Sequence, residues 1–137
     1  MGLGSLCRRR RFRDALQFIS YYHPLDYVKA VEAAYEREES QAAKDAMAQI
    51  LINSRMSAEG KRPLCQDTGI VTCFVKIGMQ VQFDKHDLTV QEMVDEGTRR
   101  AYNNVDNPLR ASIVADPAGA RVNTKDNTPA VVHIDMV

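Results

Sequence analysis

The rhythm of this chain changes after Cys65, and that change limits its fold more than any other feature. Before it, apolar residues recur three and four apart, the spacing that gives a helix one buried face. After it come short β-branched and aromatic runs separated by turn-forming residues, the signature of strands. A chain of 137 residues in this order is expected to be α+β, an N-terminal helical region followed by a mixed strand and helix region. Its length suits one domain or part of one, enough to bury a core.

Phe12, Ala15, Leu16 and Ile19 mark a first helix running to about Tyr22. Pro24 ends it, because the residue before a proline is pushed out of the helical region. A second helix starts at Pro24 or Asp26, with Tyr27, Val28, Val31, Ala34 and Tyr35 as its apolar face, and fades through Glu36 to Glu39. The third spans roughly Gln41 to Met56, with Ala43, Met47, Ile50 and Leu51 facing inward. Its alanines favour helix, and Gly60 stops it.

Ile70 to Lys76 reads as a strand, Lys76-Ile77-Gly78 as a turn and Met79 to Phe83 as a second strand. Thr89 and Glu92 have the spacing of a capping box, opening a helix to about Tyr102 with Val90, Met93, Val94 and Ala101 on its apolar side. Asn103 to Pro108 turns, Leu109 to Ala115 is extended, and Asp116 to Gly119 turns again. A final strand puts Ala130, Val132, Ile134 and Met136 on one apolar face, with His133 pointing away. The chain stops inside that strand, which is a mild sign of truncation.

Eighteen basic residues balance eighteen acidic ones, so no global charge points to nucleic acid. No run has the length needed to span a bilayer. Cys7, Cys65 and Cys73 make neither a disulfide framework nor a self-contained zinc site, which favours a reduced, cytoplasmic setting. Residues 1–11 carry the run Arg8 to Arg11 and read as a solvated, poorly ordered basic tail, too short for a signal peptide. Leu6 stands where a myristoylation pattern wants Ser or Thr.

The residues that speak about chemistry are Cys65-Gln66-Asp67-Thr68-Gly69. Cys65 is either a space-filling thiol or a soft ligand for iron–sulfur or zinc, its anion favoured by Lys61 and Arg62. Asp67 could support proton transfer or simply accept backbone donors in a turn, and Gln66 could hold a carboxylate or cap the loop. Arg110 offers a rigid guanidinium fork suited to a carboxylate, although a lone arginine is more often solvated. The polar loop Asn123-Thr124-Lys125-Asp126-Asn127-Thr128-Pro129-Ala130 could bind an anion or satisfy its own turn. His23, His86 and His133 are scattered and make no ligand set.

Taken together, these segments resemble the N-terminal part of a class I fumarate hydratase, the iron–sulfur hydro-lyase family that also contains L-tartrate dehydratases. The resemblance runs from about Asp14 to Val137, with residues 12–137 expected to form the start of the family's alpha domain. It rests on Asp14 to Pro24, Ala46 to Met56, Cys65 to Gly69, Asn107 to Pro117 and Asn123 to Val132. Its most specific part is Cys-Gln-Asp-Thr-Gly placed well before Asn-Thr-x-x-Asn-x-Pro-Ala.

The resemblance implies a four-iron four-sulfur cluster held by three cysteines, its open iron acting as a Lewis acid on a small dicarboxylate. It implies Cys65 as one cluster ligand, Gln66 and Asp67 as active-site residues, and Arg110, Asn123, Thr124 and Asn127 around the substrate. The other cluster cysteines of the family lie beyond residue 137, so this polypeptide alone is expected to be inactive and to hold no stable cluster. The complete enzyme is expected to be a homodimer or an alpha/beta assembly, with no nucleic-acid or membrane partner. Fumarate hydration to malate is the leading expectation, with tartrate dehydration as its neighbour. A binding module using the basic arm would instead show salt-dependent nucleic-acid affinity. Elements that pack on missing neighbours should leave apolar faces exposed.

Overall fold

Good helix formers dominate the first 60 residues, and three helices follow from them. In the computed structural model residues 3–64, 69–83 and 87–137 are described, with residues 3–10 described as backbone only. Helix α1 spans Leu3–Tyr21, α2 Leu25–Arg37 and α3 Gln41–Gly60. Pro24 stands at the N-cap of α2, as its fixed φ allows. The expected start of α1 near Phe12 is corrected: the helix reaches back through the arginine run, whose residues have high helix propensity. Gly60 is the last residue of α3, and the turn-out falls on Lys61, which is left-handed at φ 47° and donates its N–H to Ser57 O.

The chain divides into two compact units, Gln17–Gln66 and Met1–Leu16 with Asp67–Val137. Within the first, α2 packs on α3. Leu64 is buried there, and its N–H donates to Ser20 O at 2.8 Å. Ser20 is buried as well, its hydroxyl satisfied by Gln17 O at 2.6 Å. Leu16 is buried as expected, whereas Ile19 and Ile50, expected inward, are exposed, and α1 buries Gln17 and Ser20 beside Leu16. The buried stripe of α1 is narrow and partly polar, which apolar spacing alone does not reveal.

The second unit holds strands β1 (Thr72–Ile77), β2 (Val114–Ala115), β3 (Val122–Asn123) and β4 (Val131–Met136), with helix α4 (Val90–Tyr102). β1 and β4 pair in parallel from Thr72↔Val131 to Ile77↔Met136, and β2 and β3 pair antiparallel. Parallel neighbours share a face, so Phe74 and His133 stack at 4.8 Å, and His133 points away from the inner face as expected. Cys73, Val75 and Ile77 form the half-buried side of β1. The strand expected over Met79 to Phe83 is absent. Met79 N–H bonds Val137 O and Val81 N–H bonds Gly78 O, which makes a turn of that segment. Of Leu109 to Ala115 only Val114–Ala115 pairs as strand. The turn at Asp116 forms as expected, its carboxylate accepting from Gly119 and Ala120.

α4 opens with the expected capping box: Thr89 Oγ1 accepts from Glu92 N, and the Glu92 carboxylate accepts from Thr89 N. Its buried face is Val94, Gly97, Thr98 and Ala101. Gly97 is required by contact, since a Cβ there would lie 2.5 Å from Phe12 Cδ1. Apolar side chains are also left in solvent, as expected: Phe74 is 81% exposed, and Ile134 and Met136 on the outer part of β4 are exposed too. No helix among the described residues is long and apolar enough to cross a membrane.

Candidate functional site

Helix α4 carries a second stripe beside its apolar one. Gln91, Asp95, Arg99 and Tyr102 lie four, four and three residues apart, so they stack along one side of the helix. The first three reach the polar loop before β4. Gln91 Nε2 donates to Ala130 O at 2.9 Å, and Asp95 Oδ1 accepts from Ala130 N at 2.7 Å. The same Gln91 amide bonds the Asp95 carboxylate, which fixes both side chains against one residue's backbone. Further along, Arg99 Nε donates to Asp126 Oδ2 at 3.0 Å.

Asp126 closes the loop on itself. Its Oδ1 accepts from the amide and the hydroxyl of Thr128, beside the cis Thr128–Pro129 peptide. Burial pushes its carboxyl up, but the bonds from Thr128 and Arg99 outweigh it and hold the group below its ordinary value. Glu96 is likewise held low, first by its bond from Arg100. Burial raises the pKa of the Tyr102 phenol, and the Asn127 side chain opposes that rise.

Asn127 joins three stretches of chain. Its Oδ1 accepts from Ser112 N at 2.8 Å and Ile113 N at 3.2 Å, while its Nδ2 donates to Gly69 O at 3.0 Å. The residue is wholly buried and left-handed at φ 59°, a region that asparagine tolerates better than most side chains. Asn123 repeats the theme at the surface, donating to Ala111 O at 2.9 Å and accepting from Lys125 N at 2.6 Å. Thr124 N donates to Ile113 O at 2.9 Å, and its hydroxyl is buried with no partner among the described residues. Arg110 is exposed, two residues before the backbone that Asn127 grips.

Asn123, Thr124 and Asn127 therefore fall in one hydrogen-bonded network with residues 111–113, which Arg110 directly precedes. Cys65, Gln66 and Asp67 lie outside the described residues; the segment that contains them ends at Gly69, which the network holds. Sequence reasoning missed Gln91, Asp95, Arg99, Asp126 and Tyr102. Four of them were legible as a polar stripe at helical spacing on a helix already bounded by its cap.

Among the described residues no group of three or more His, Cys, Asp or Glu could hold a metal ion. Cys73 has a free thiol whose pKa is raised by burial and then by the charge of Asp95, so it is held as the thiol. A metal ligand needs the thiolate.

The chain matches the fumarate hydratase (Fumerase) family over residues 9–137. It is similar to a protein of Methanocaldococcus jannaschii named "Putative L(+)-tartrate dehydratase subunit alpha", with 35% identity over 103 residues. That match covers 75% of this chain and 34% of the relative, so the chain spans about a third of the length of the curated relative it matches. Nearly the whole sequence, including both polar segments joined by Asn127, lies inside the family match, and the chain belongs to the fumarate hydratase family.

Proposed function

We propose that this chain is part of a hydro-lyase that adds water to, or removes it from, a small four-carbon dicarboxylate, with fumarate and malate as the leading pair. The observation that carries the reading is the bond between Asn127 and Gly69, which ties together the two segments most specific to the family resemblance, 58 residues apart. Arg110 is the proposed holder of a substrate carboxylate: it is exposed, and its planar fork matches a carboxylate in two bonds. Asn123 retains one donor and one acceptor position beyond its bonds to Ala111 and Lys125 and faces solvent, so it can meet a second polar group of the substrate. The unpartnered Thr124 hydroxyl is the third proposed contact.

Asp67 is proposed to support proton transfer at the carbon next to a carboxylate, with Gln66 beside it; both lie outside the described residues. The four-iron four-sulfur cluster implied by the resemblance would supply Lewis-acid activation, with Cys65 as one thiolate ligand. The described residues do not by themselves fit such a group, and the roles given to Arg110, Asn123 and Thr124 require none. The complete protein is proposed to assemble as a homodimer or with a second subunit.

The M. jannaschii relative favours a second reading, an alpha subunit of an L(+)-tartrate dehydratase. Anaerobic assay of the complete protein with fumarate, malate and L-tartrate separates the two. Malate formed from fumarate supports the first, oxaloacetate formed from tartrate supports the second, and turnover of neither removes both.

A further inference from the structure

A carboxamide has two N–H donors and two acceptor lone pairs. In Asn127, Oδ1 takes the amides of Ser112 and Ile113, and Nδ2 donates to Gly69 O. The residue is wholly buried and both its oxygen and its amide are engaged by backbone, so it presents no open face to a ligand. We infer that Asn127 is a positioning residue rather than a substrate contact: it locks the Gly69 backbone to the segment that carries Arg110. This inference rests on reading the region as the hydro-lyase site.

Two properties make asparagine hard to replace. The left-handed backbone disfavours most side chains, and the bonds demand an acceptor and a donor on the same short group. Aspartate matches the shape but presents an oxygen to the Gly69 carbonyl unless it is protonated. Glycine suits the backbone but brings no amide.

Those two substitutions separate the parts of the lock. In Asn127→Gly, the Ser112 and Ile113 amides of the 137-residue chain should exchange with solvent about 10- to 100-fold faster, the usual cost of losing a buried partner. Amides of α2 and α3 should keep their wild-type rates. In Asn127→Asp, the Ser112 and Ile113 amides should stay protected while amides just after Gly69 loosen at pH 8. They should tighten again as the pH falls and the new carboxyl gains a proton to donate. In the complete hydro-lyase, kcat of Asn127→Asp relative to wild type should rise along the same pH course, with KM changing less than kcat.

Unchanged exchange at Ser112 and Ile113 in Asn127→Gly would overturn the inference. So would a relative kcat that is flat with pH, or an effect confined to KM, which is what a substrate contact gives. Absence of turnover by the wild type, with the exchange changes intact, would instead sink the hydro-lyase reading and leave the lock standing.

Discussion

In the pair α2–α3, Gln41 bonds Asp45, Arg55 bonds Glu59, and Glu38 accepts from Ser40, all partners within four residues. In the unit that carries α4, Asn127 reaches Ser112 and Gly69, Arg99 reaches Asp126, and Gln91 and Asp95 reach Ala130 across 39 and 35 residues. The first unit is organised by helix propensity and packing. The second is organised by side chains that act as backbone partners for distant loops. The exposed polar pairs of α2 and α3 are therefore local while those of the α4 unit join distant loops, and single substitutions should separate the two.

The largest effect is expected from Asp95→Ala. It leaves the Ala130 N–H without its acceptor and strips the Gln91 amide of a partner. An unsatisfied buried donor costs about 1–3 kcal/mol, and Ala130 is 5% exposed, so the upper part of that range applies. Urea denaturation should show the loss, and hydrogen exchange should confine it to β4 and the loop before it. A loss spread equally over α2 and α3 would erase the distinction between the units.

Acid should act more gently on the same clamp. Asp126 and Glu96 both have carboxyls held below their ordinary values in the fold. A depressed folded-state pKa contributes stability that is fully present above the unfolded value, about 4, and is lost as the pH falls through the lower folded value. Exchange at the Thr128 amide should therefore be steady relative to its intrinsic rate from pH 7 to about 5 and rise below about 4. Arg99→Ala should weaken this dependence, because the guanidinium bonds both carboxylates. Equal acid sensitivity with and without Arg99 would show that the ion pairs do not hold the loop.

The same contrast, between short-range and long-range partners, decides which features are legible in the sequence. The three helices, the capping box at Thr89 and the turn at Asp116 depend on residues within a few positions of one another, and all can be read from it. The Met79 to Phe83 segment misleads because its apolar run resembles a strand, while its amides bond Val137 and Gly78 instead of a neighbouring strand. Burial of Gln17 and Ser20 in place of Ile19 is not legible either, since which face a helix buries depends on what it meets. The proposed site residues Arg110, Asn123, Thr124 and Asn127 stand out by type and by resemblance. The contrast between Asn127, buried and bonded to backbone, and Arg110, exposed, emerges only from hydrogen bonds and burial.

The smallest effect should come from the Arg55–Glu59 pair on α3, at 2.8 Å. Both side chains are mostly exposed, so water competes for each charge and ordering two long side chains offsets the attraction. The bond raises the Arg55 pKa, yet an arginine is protonated across the whole accessible range, so that shift carries no pH dependence. Arg55→Ala should leave the melting temperature within error at moderate salt, because alanine's helix propensity offsets what the pair supplied. A clear drop, abolished by high salt, would mean that the helical unit relies on surface charge after all and that its difference from the loop unit is one of degree.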